Sequence, residues 1–227
     1  MDKERLKQIS AEKAVEGVEP GMVVGLGSGS TVYYALLALG RRVRDGLHII
    51  GIPTSTQTEV TSVREGIQLS TLAAHPTPDL TIDGADEIDT TMNLVKGGGG
   101  ALVREKIIAH ASKQLVVIAD QSKLVPALGT TFPLPVEIVQ FEWESTQAEV
   151  NQICGKSTLR RSDEGPLITD NGNFILDCHF EEISHPFQTE IQLNNIPGVV
   201  ENGLFVDRAN MVIVGTTSGI QIKERSN

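Results

Sequence analysis

Hydrophobic and polar positions alternate along the chain in two periods, and the first 125 residues repeat one pattern. Residues 2–17 (DKERLKQISAEKAVEG) carry Leu6, Ile9, Ala14 and Gly17 at helical spacing, so they predict an amphipathic helix ending near Gly17. Pro20-Gly21 marks a turn, and Met22 to Leu26 reads as a short buried strand. Thr31 to Arg44 predicts the next helix, and His48 to Ile52 the second strand. Thr54 to Gly66 predicts a helix capped by Thr54 or Ser55, with Gly66 just past its end. Gln68 to Leu72, Leu80 to Ile82 and Gln114 to Ala119 predict further strands, with a helix around Glu105 between the last two. Strands alternating with helices of this length predict a parallel, doubly wound sheet.

After Gly129 the pattern changes. Phe132-Pro133-Leu134-Pro135 punctuates the chain. Val136 to Phe141 predicts a strand, Ser145 to Cys154 a helix capped by Ser145, and Ser157 to Arg161 and Leu167 to Thr169 two strands. Asp170-Asn171-Gly172-Asn173 is a hairpin signal leading into a strand over Phe174 to Cys178. A helix from His185-Pro186 to about Asn195 and a strand over Gly203 to Val206 follow. This β-α-β-β-α-β order suits a ferredoxin-like unit. Met211 to Gly215 then predicts a strand returning to the first sheet. The expected fold is α/β: a doubly wound, mostly parallel, Rossmann-like sheet (residues 1–131 and 206–227) with an inserted ferredoxin-like α+β domain (residues 132–205).

Composition narrows the partners. A net charge of −10 disfavours nucleic acid or an anionic membrane as partner, yet leaves room for a small phosphorylated ligand in a local pocket. Two cysteines, Cys154 and Cys178, make no disulfide framework, Met1 leads straight into charged residues, and no apolar run approaches about 20 residues. A cytoplasmic location follows as an expectation.

Three polar clusters fall at predicted strand ends, where ligands bind in such sheets. The first, Gly25-Leu26-Gly27-Ser28-Gly29-Ser30-Thr31, joins a strand to a helix. It lacks the third glycine and the later acid of a dinucleotide site, and the Gly-Lys-Ser/Thr of a Walker loop. What remains is helix N-terminal N–H groups with the hydroxyls of Ser28, Ser30 and Thr31, which suit one phosphate monoester as well as they suit a plain capped turn. The second, Asp83-Gly84-Ala85-Asp86, is followed by Lys96, by Gly97, Gly98, Gly99 and Gly100, and by Glu105. The third, Asp120 to Lys123, offers Lys123.

Glu105 falls at helical spacing from Ala101, Leu102, Ile108 and Ala109, hence within or beside an apolar stripe. A carboxylate desolvated there becomes a useful base near neutral pH. Lys96 can place one charge beside developing negative charge, and the glycines let main chain approach a ligand. The acids lack calcium-loop spacing and the five histidines lack ligand spacing, so no metal and no cofactor is expected. A phosphate cradle, a base and oxyanion stabilisers are the equipment for moving a proton next to a carbonyl, as in aldose–ketose isomerisation.

The motifs GLGSGST (25–31), DGADEID (83–89), KGGGGALVREKI (96–107), DQSK (120–123), FPLPVEI (132–138) and DNGNFILD (170–177) together resemble type A ribose-5-phosphate isomerase over nearly the full length. The resemblance implies interconversion of D-ribose 5-phosphate and D-ribulose 5-phosphate through an enediolate, in the non-oxidative pentose phosphate pathway. It implies Glu105 as the base between C2 and C1, Asp83 in ring opening, and Asp86 and Lys96 on the sugar hydroxyls and enediolate. Ser30, Thr31, Lys123 and Lys7 would hold the phosphate. With them Ser28, Gly29, Gly84, Ala85, Gly97, Gly98 and Gly99 complete the expected binding set. A homodimer or tetramer is implied as well. Ser28 and Gly100 depart from the Thr and Ala frequent in the family, without disturbing this chemistry. The rival readings are a related sugar-phosphate isomerase or deaminase, a non-catalytic sugar-phosphate sensor, and a larger CoA-transferase-like enzyme with a covalent Glu adduct.

Overall fold

The computed structural model describes residues 2–225. In chain order the elements are α1 (Lys3–Glu16), β1 (Val23–Leu26), α2 (Ser30–Arg44), β2 (Ile50–Pro53), α3 (Thr56–Arg64), β3 (Gln68–Leu69), β4 (Leu80–Gly84), β5 (Glu87–Ile88), β6 (Leu94–Val95), α4 (Leu102–Ala111) and β7 (Leu115–Asp120). A 3-10 turn, Gln121–Lys123, leads on to β8 (Leu134–Ile138), α5 (Trp143–Cys154), β9 (Ser157–Leu159), β10 (Arg161–Ser162), β11 (Gly165–Pro166), β12 (Phe174–Cys178), α6 (Pro186–Asn194), β13 (Val199–Asn202), β14 (Leu204–Phe205), β15 (Met211–Thr216) and β16 (Gly219–Glu224).

They pack as two compact units. The first comprises the chain through Ala85, Arg104–Lys123, and the chain from Arg208. Its seven-stranded sheet has the order β16-β15-β7-β4-β1-β2-β3. All pairs are parallel except the β15–β16 hairpin. Counted within this sheet, the six parallel strands run 3-2-1-4-5-6, the Rossmann order, and the direction of winding reverses between β1 and β4. β7 (LVVIAD) is buried at every position, as a strand inside a parallel sheet must be. Helix α2 buries Val32, Ala35, Leu36 and Leu39 at i, i+3, i+4 and i+7, and ends in Arg41, Arg42 and Arg44, whose charges suit the helix C-terminus. The predicted Ser55 cap of α3 is present, its hydroxyl accepting from Thr58 N at 3.1 Å.

The second unit comprises Asp86–Val103 and Leu124–Asp207. Its main sheet, β13-β8-β12-β9, is antiparallel throughout and carries α5 and α6. A smaller sheet, β14-β6-β5, pairs residues about 110 positions apart in the chain. Two buried carboxylates organise its loops. Glu87 accepts from the N–H groups of Gly129, Thr131 and Phe132 and from the Thr131 hydroxyl at 2.5–2.9 Å. Glu137, in the middle of β8, accepts at one oxygen from Thr169 Oγ1, Asn171 Nδ2 and Asn173 Nδ2 at 2.8–3.1 Å. Cys154 and Cys178 are free, buried and adjacent; the hydrogen bond shared with Cys154, followed by burial, pushes the Cys178 thiol well above its ordinary range.

Several expected boundaries move. Residues 86–103 and 124–131 pack in the second unit rather than with the parallel sheet, because β5 and β6 pair with β14 and Glu87 ties down residues 129–132. Ser145 lies inside α5, which starts two residues earlier behind Glu142 at φ 47°. Residues 167–169 form no strand; their backbone closes the Asn-Gly turn instead, Thr169 N donating to Asn173 O at 2.9 Å. β3 has two residues where the pattern predicts five, and β16 has no counterpart among the predicted strands. Among the described residues no helix is long and apolar enough to cross a membrane.

Candidate active site

Strand β4 delivers Asp83 fully buried, at the point where the winding of the sheet reverses. One carboxylate oxygen accepts from Ser28 N at 3.1 Å and from Gly84 N at 2.8 Å. The turn after β1 is thereby fastened to the end of β4. Gly27 is what lets them meet: a Cβ there would lie 2.1 Å from Asp83 Oδ1 and 2.7 Å from its Cα. The glycine serves this close approach, a reason the sequence pattern does not suggest.

Helix α2 begins at Ser30 behind Gly29, whose φ of 107° few side chains tolerate, and no side chain caps it. No acidic residue occupies its first turn. An uncapped N-terminus with a positive dipole end suits an anion. Ser30 is exposed and Thr31 half-buried. The Ser28 hydroxyl is engaged elsewhere, within 2.7–3.2 Å of Thr54 Oγ1, Ser55 Oγ and Thr58 Oγ1. Thr58 in turn donates to Gly27 O at 2.7 Å. Ser28 therefore braces the turn through a hydroxyl cluster built from the start of α3. Beside this helix end lies a cavity of about 210 Å³, lined by Gly29, Ser30, Tyr33, Gln57 and Thr61 among others. Gln57, Thr58 and Thr61 do not stand out in the sequence, since nothing local in α3 signals that they face this turn.

Glu105 lies in the first turn of α4 and is 4% exposed, as its place in an apolar stripe predicts. Lys106 is buried as well, at 5%, so the flanking charges are not simply solvated. Lys123 is half-buried in the 3-10 turn after β7, where Asp120 Oδ1 accepts from Ser122 N at 2.9 Å. Lys7 pairs with Glu4 at 2.7 Å, and that hydrogen bond, with a second from Tyr34, lowers the Glu4 pKa. Gly84 and Ala85 are half-buried where β4 ends.

The remaining groups belong to the second unit. Asp86 N donates to Val95 O, and Asp86 Oδ2 accepts from Gly98 N at 2.7 Å. A Cβ on Gly98 would come within 2.6 Å of Asp86 Oδ1, so this contact too requires bare backbone. Lys96 is 2% exposed, its ammonium 5.3 Å from the centre of the Phe205 ring, and its own N–H is bonded to Gly203 O. Gly97 and Gly100 are buried, while Gly98 and Gly99 are exposed. The rest of the DGADEID motif is structural: Glu87 holds the 129–132 loop, and Asp89 Oδ1 closes a turn by accepting from the N–H groups of Thr91 and Asn93 at 2.8 Å. Among the described residues no group of three His, Cys, Asp or Glu side chains is placed to hold a metal ion.

An Asp buried at a strand end, an uncapped helix N-terminus beside it and a buried Glu on a helix are all carried by the Rossmann-like sheet of the first unit. The family model described as ribose 5-phosphate isomerase A (phosphoriboisomerase A) matches residues 50–219. Ribose-5-phosphate isomerase A of Bacillus mycoides is 50% identical over 217 residues, covering 95% of this chain and 98% of its own. A solved D-ribose-5-phosphate isomerase in complex with phospho-erythronic acid superposes with a TM-score of 0.96 at 42% identity, covering 99% of this chain and 100% of that one. The enzyme of Methanocaldococcus jannaschii gives 0.94 at 41%, with the same coverage. The chain belongs to the ribose-5-phosphate isomerase A family, whose members interconvert ribose 5-phosphate and ribulose 5-phosphate.

Proposed function

We propose that the isomerisation runs through an enediolate with Glu105 as the base. The carboxylate takes the proton from C2 of the open-chain aldose and returns it to C1, while the hydroxyl proton of O2 passes to O1; the reverse reaction uses the same residue. Burial of Glu105 in the first turn of α4 is the observation that supports this most, because a base sheltered from water can pass one proton between two neighbouring carbons. Asp83 assists ring opening. Asp86 and Lys96 steady the sugar hydroxyls and the charge that develops on the enediolate oxygens. The helix N-terminus at Ser30 and Thr31, with Lys123, holds the phosphate. Lys7, whose ammonium pairs with Glu4 and keeps further N–H groups to donate, is a second cation for the phosphate. Gly29, Gly84, Ala85, Gly97, Gly98 and Gly99 contribute backbone, and Ser28 supports the turn that presents the helix.

A relative is described in complex with phospho-erythronic acid, a phosphorylated sugar acid with oxygens at the end where an enediolate carries them. The same acid is expected to compete with ribose 5-phosphate here. We also read the main sheet of the second unit as ferredoxin-like. In chain order its strands β8, β9, β12 and β13 lie 4-1-3-2 and antiparallel, the arrangement of a split β-α-β pair. A cytoplasmic homodimer in the non-oxidative pentose phosphate pathway completes the reading.

The test is Glu105→Gln. It should still bind ribose 5-phosphate while kcat falls by about 10³-fold or more, in the upper part of the range for a positioned base. In D2O the unaltered enzyme should carry part of the original hydrogen from C2 to C1, so that deuterium incorporation at C1 stays incomplete, as expected of a base sheltered from solvent. Near-normal turnover by Glu105→Gln would overturn the assignment.

A further inference from the structure

We infer that Arg160 is a positioning residue, which aims the Gly97–Gly99 backbone by gripping its carbonyl oxygens. Arg160 follows β9, and its N–H pairs with Ile175 O on β12 at 2.8 Å. In that register Ile175 lies opposite Arg160, and Asp177, two residues on, shares its face diagonally. Asp177 accepts from Arg160 Nε at 3.0 Å and from Nη2 at 2.5 Å, a bidentate pair only 12% and 17% exposed. The remaining nitrogen, Nη1, donates to Gly97 O at 2.8 Å and Gly98 O at 3.1 Å.

Peptide geometry converts this grip into aim. In a trans peptide the C=O of one residue and the N–H of the next point in opposite directions. Arg160 holds the Gly97 carbonyl while Asp86 Oδ2 takes the Gly98 N–H, so this one peptide is fastened at both ends. Arg160 also holds the Gly98 carbonyl, which turns the Gly99 N–H away from the guanidinium. Glycine imposes almost no torsional preference of its own, so an outside clamp is needed to give such a loop one conformation. The planar fork is well shaped for such a clamp. Two of its nitrogens are fixed on one carboxylate and the third carries the carbonyls, an arrangement an ammonium cannot reproduce.

This rests on the reading that Asp86 and the glycine loop serve the isomerisation, and Asp86→Asn tests that reading separately. With Arg160→Met, kcat for ribose 5-phosphate should fall by about 10²-fold, the cost of roughly 1 Å of misplacement, while KM stays within about threefold. Arg160→Lys should recover part of the loss, and Asp177→Asn should show the same split in milder form. Adding Asp177→Asn to Arg160→Met should cost little more, since both release the same grip. Loss of activity in Asp86→Asn with kcat unchanged in Arg160→Met overturns the clamp alone, as does a rise in KM at constant kcat. Full activity in Asp86→Asn overturns the reading beneath it and the clamp with it. If Arg160→Met melts below the assay temperature, Arg160→Lys and Asp177→Asn decide by the same criterion.

Discussion

Residues 25–31 and residues 97–100 both bring bare backbone against a carboxylate, and they are held in different ways. The first is a turn between a buried strand and a helix, with Asp83 seated under it and a hydroxyl cluster from α3 closing its side. Its shape follows from the elements on either side. The second has β6 before it and α4 after it, and takes its shape from side chains at 86 and 160. A glycine in the first makes room for a neighbour that is already rigid. A glycine in the second surrenders the conformation to whatever grips it. The first segment should therefore fail by unfolding and the second by losing aim.

The sharpest break in that contrast is Gly27→Ala. The added methyl meets Asp83 at its Cα as well as its carboxylate, and backbone in a buried strand cannot yield cheaply. A loss of about 3 kcal/mol is expected, at the top of the usual overpacking range, with activity lost alongside; denaturant midpoints and assays would show it. Gly98→Ala should be milder in stability, about 1 kcal/mol, because the obstructing atoms are the end of a rotatable Asp86 side chain. Its cost should appear instead in turnover, at roughly tenfold, with KM little changed. If Gly98→Ala proved the more destabilising of the two, the distinction would collapse.

The smallest effect lies at the other end of β1. Asp79 accepts from Val23 N at 2.9 Å and from Lys113 Nζ at 2.7 Å, and the lysine, followed by the backbone bond, lowers its pKa. Its stabilising contribution is therefore complete above the unfolded value near 3.8 and fades as pH falls through the lower folded value. With both partners partly exposed, Asp79→Asn should cost at most about 1 kcal/mol near neutrality. The difference from the unaltered protein should shrink as pH falls below the unfolded value near 3.8 and through the lower folded one, measured by urea midpoints at each pH. A difference that widened in acid would assign the strand end to another contact.

Much of the first unit is legible in the sequence because its signals are local. Gly17, Ser55 and Gly66 mark helix ends by their own chemistry, and Val32, Ala35, Leu36 and Leu39 announce a buried face without reference to any distant residue. The candidate acids Asp83 and Asp86, Lys96 and Glu105 stand out for the same reason, as charges beside glycine or apolar neighbours. What the sequence hides depends on partners far along the chain. β5, β6 and β14 have two residues each, too few for any periodicity, and exist because β14 pairs back onto β6. Glu87 and Glu137 read as surface acids until the groups they collect, some 30 to 45 positions away, are brought to them by the fold. Arg160 carries no signal at all, since neither Asp177 nor the glycine loop is its sequence neighbour.

The chain passes between its two units at residues 85/86, 103/104, 123/124 and 207/208. Neither unit is a continuous stretch, so no single cut yields two fragments that each own a complete core. The order of synthesis matters too. β7, apolar at five of its six positions, waits for β15 as its parallel neighbour, and that strand is made some 90 residues later. At translation speeds of about 5–20 residues per second, its open edge persists for several seconds on the ribosome, long enough for a chaperone or a second nascent chain to find it.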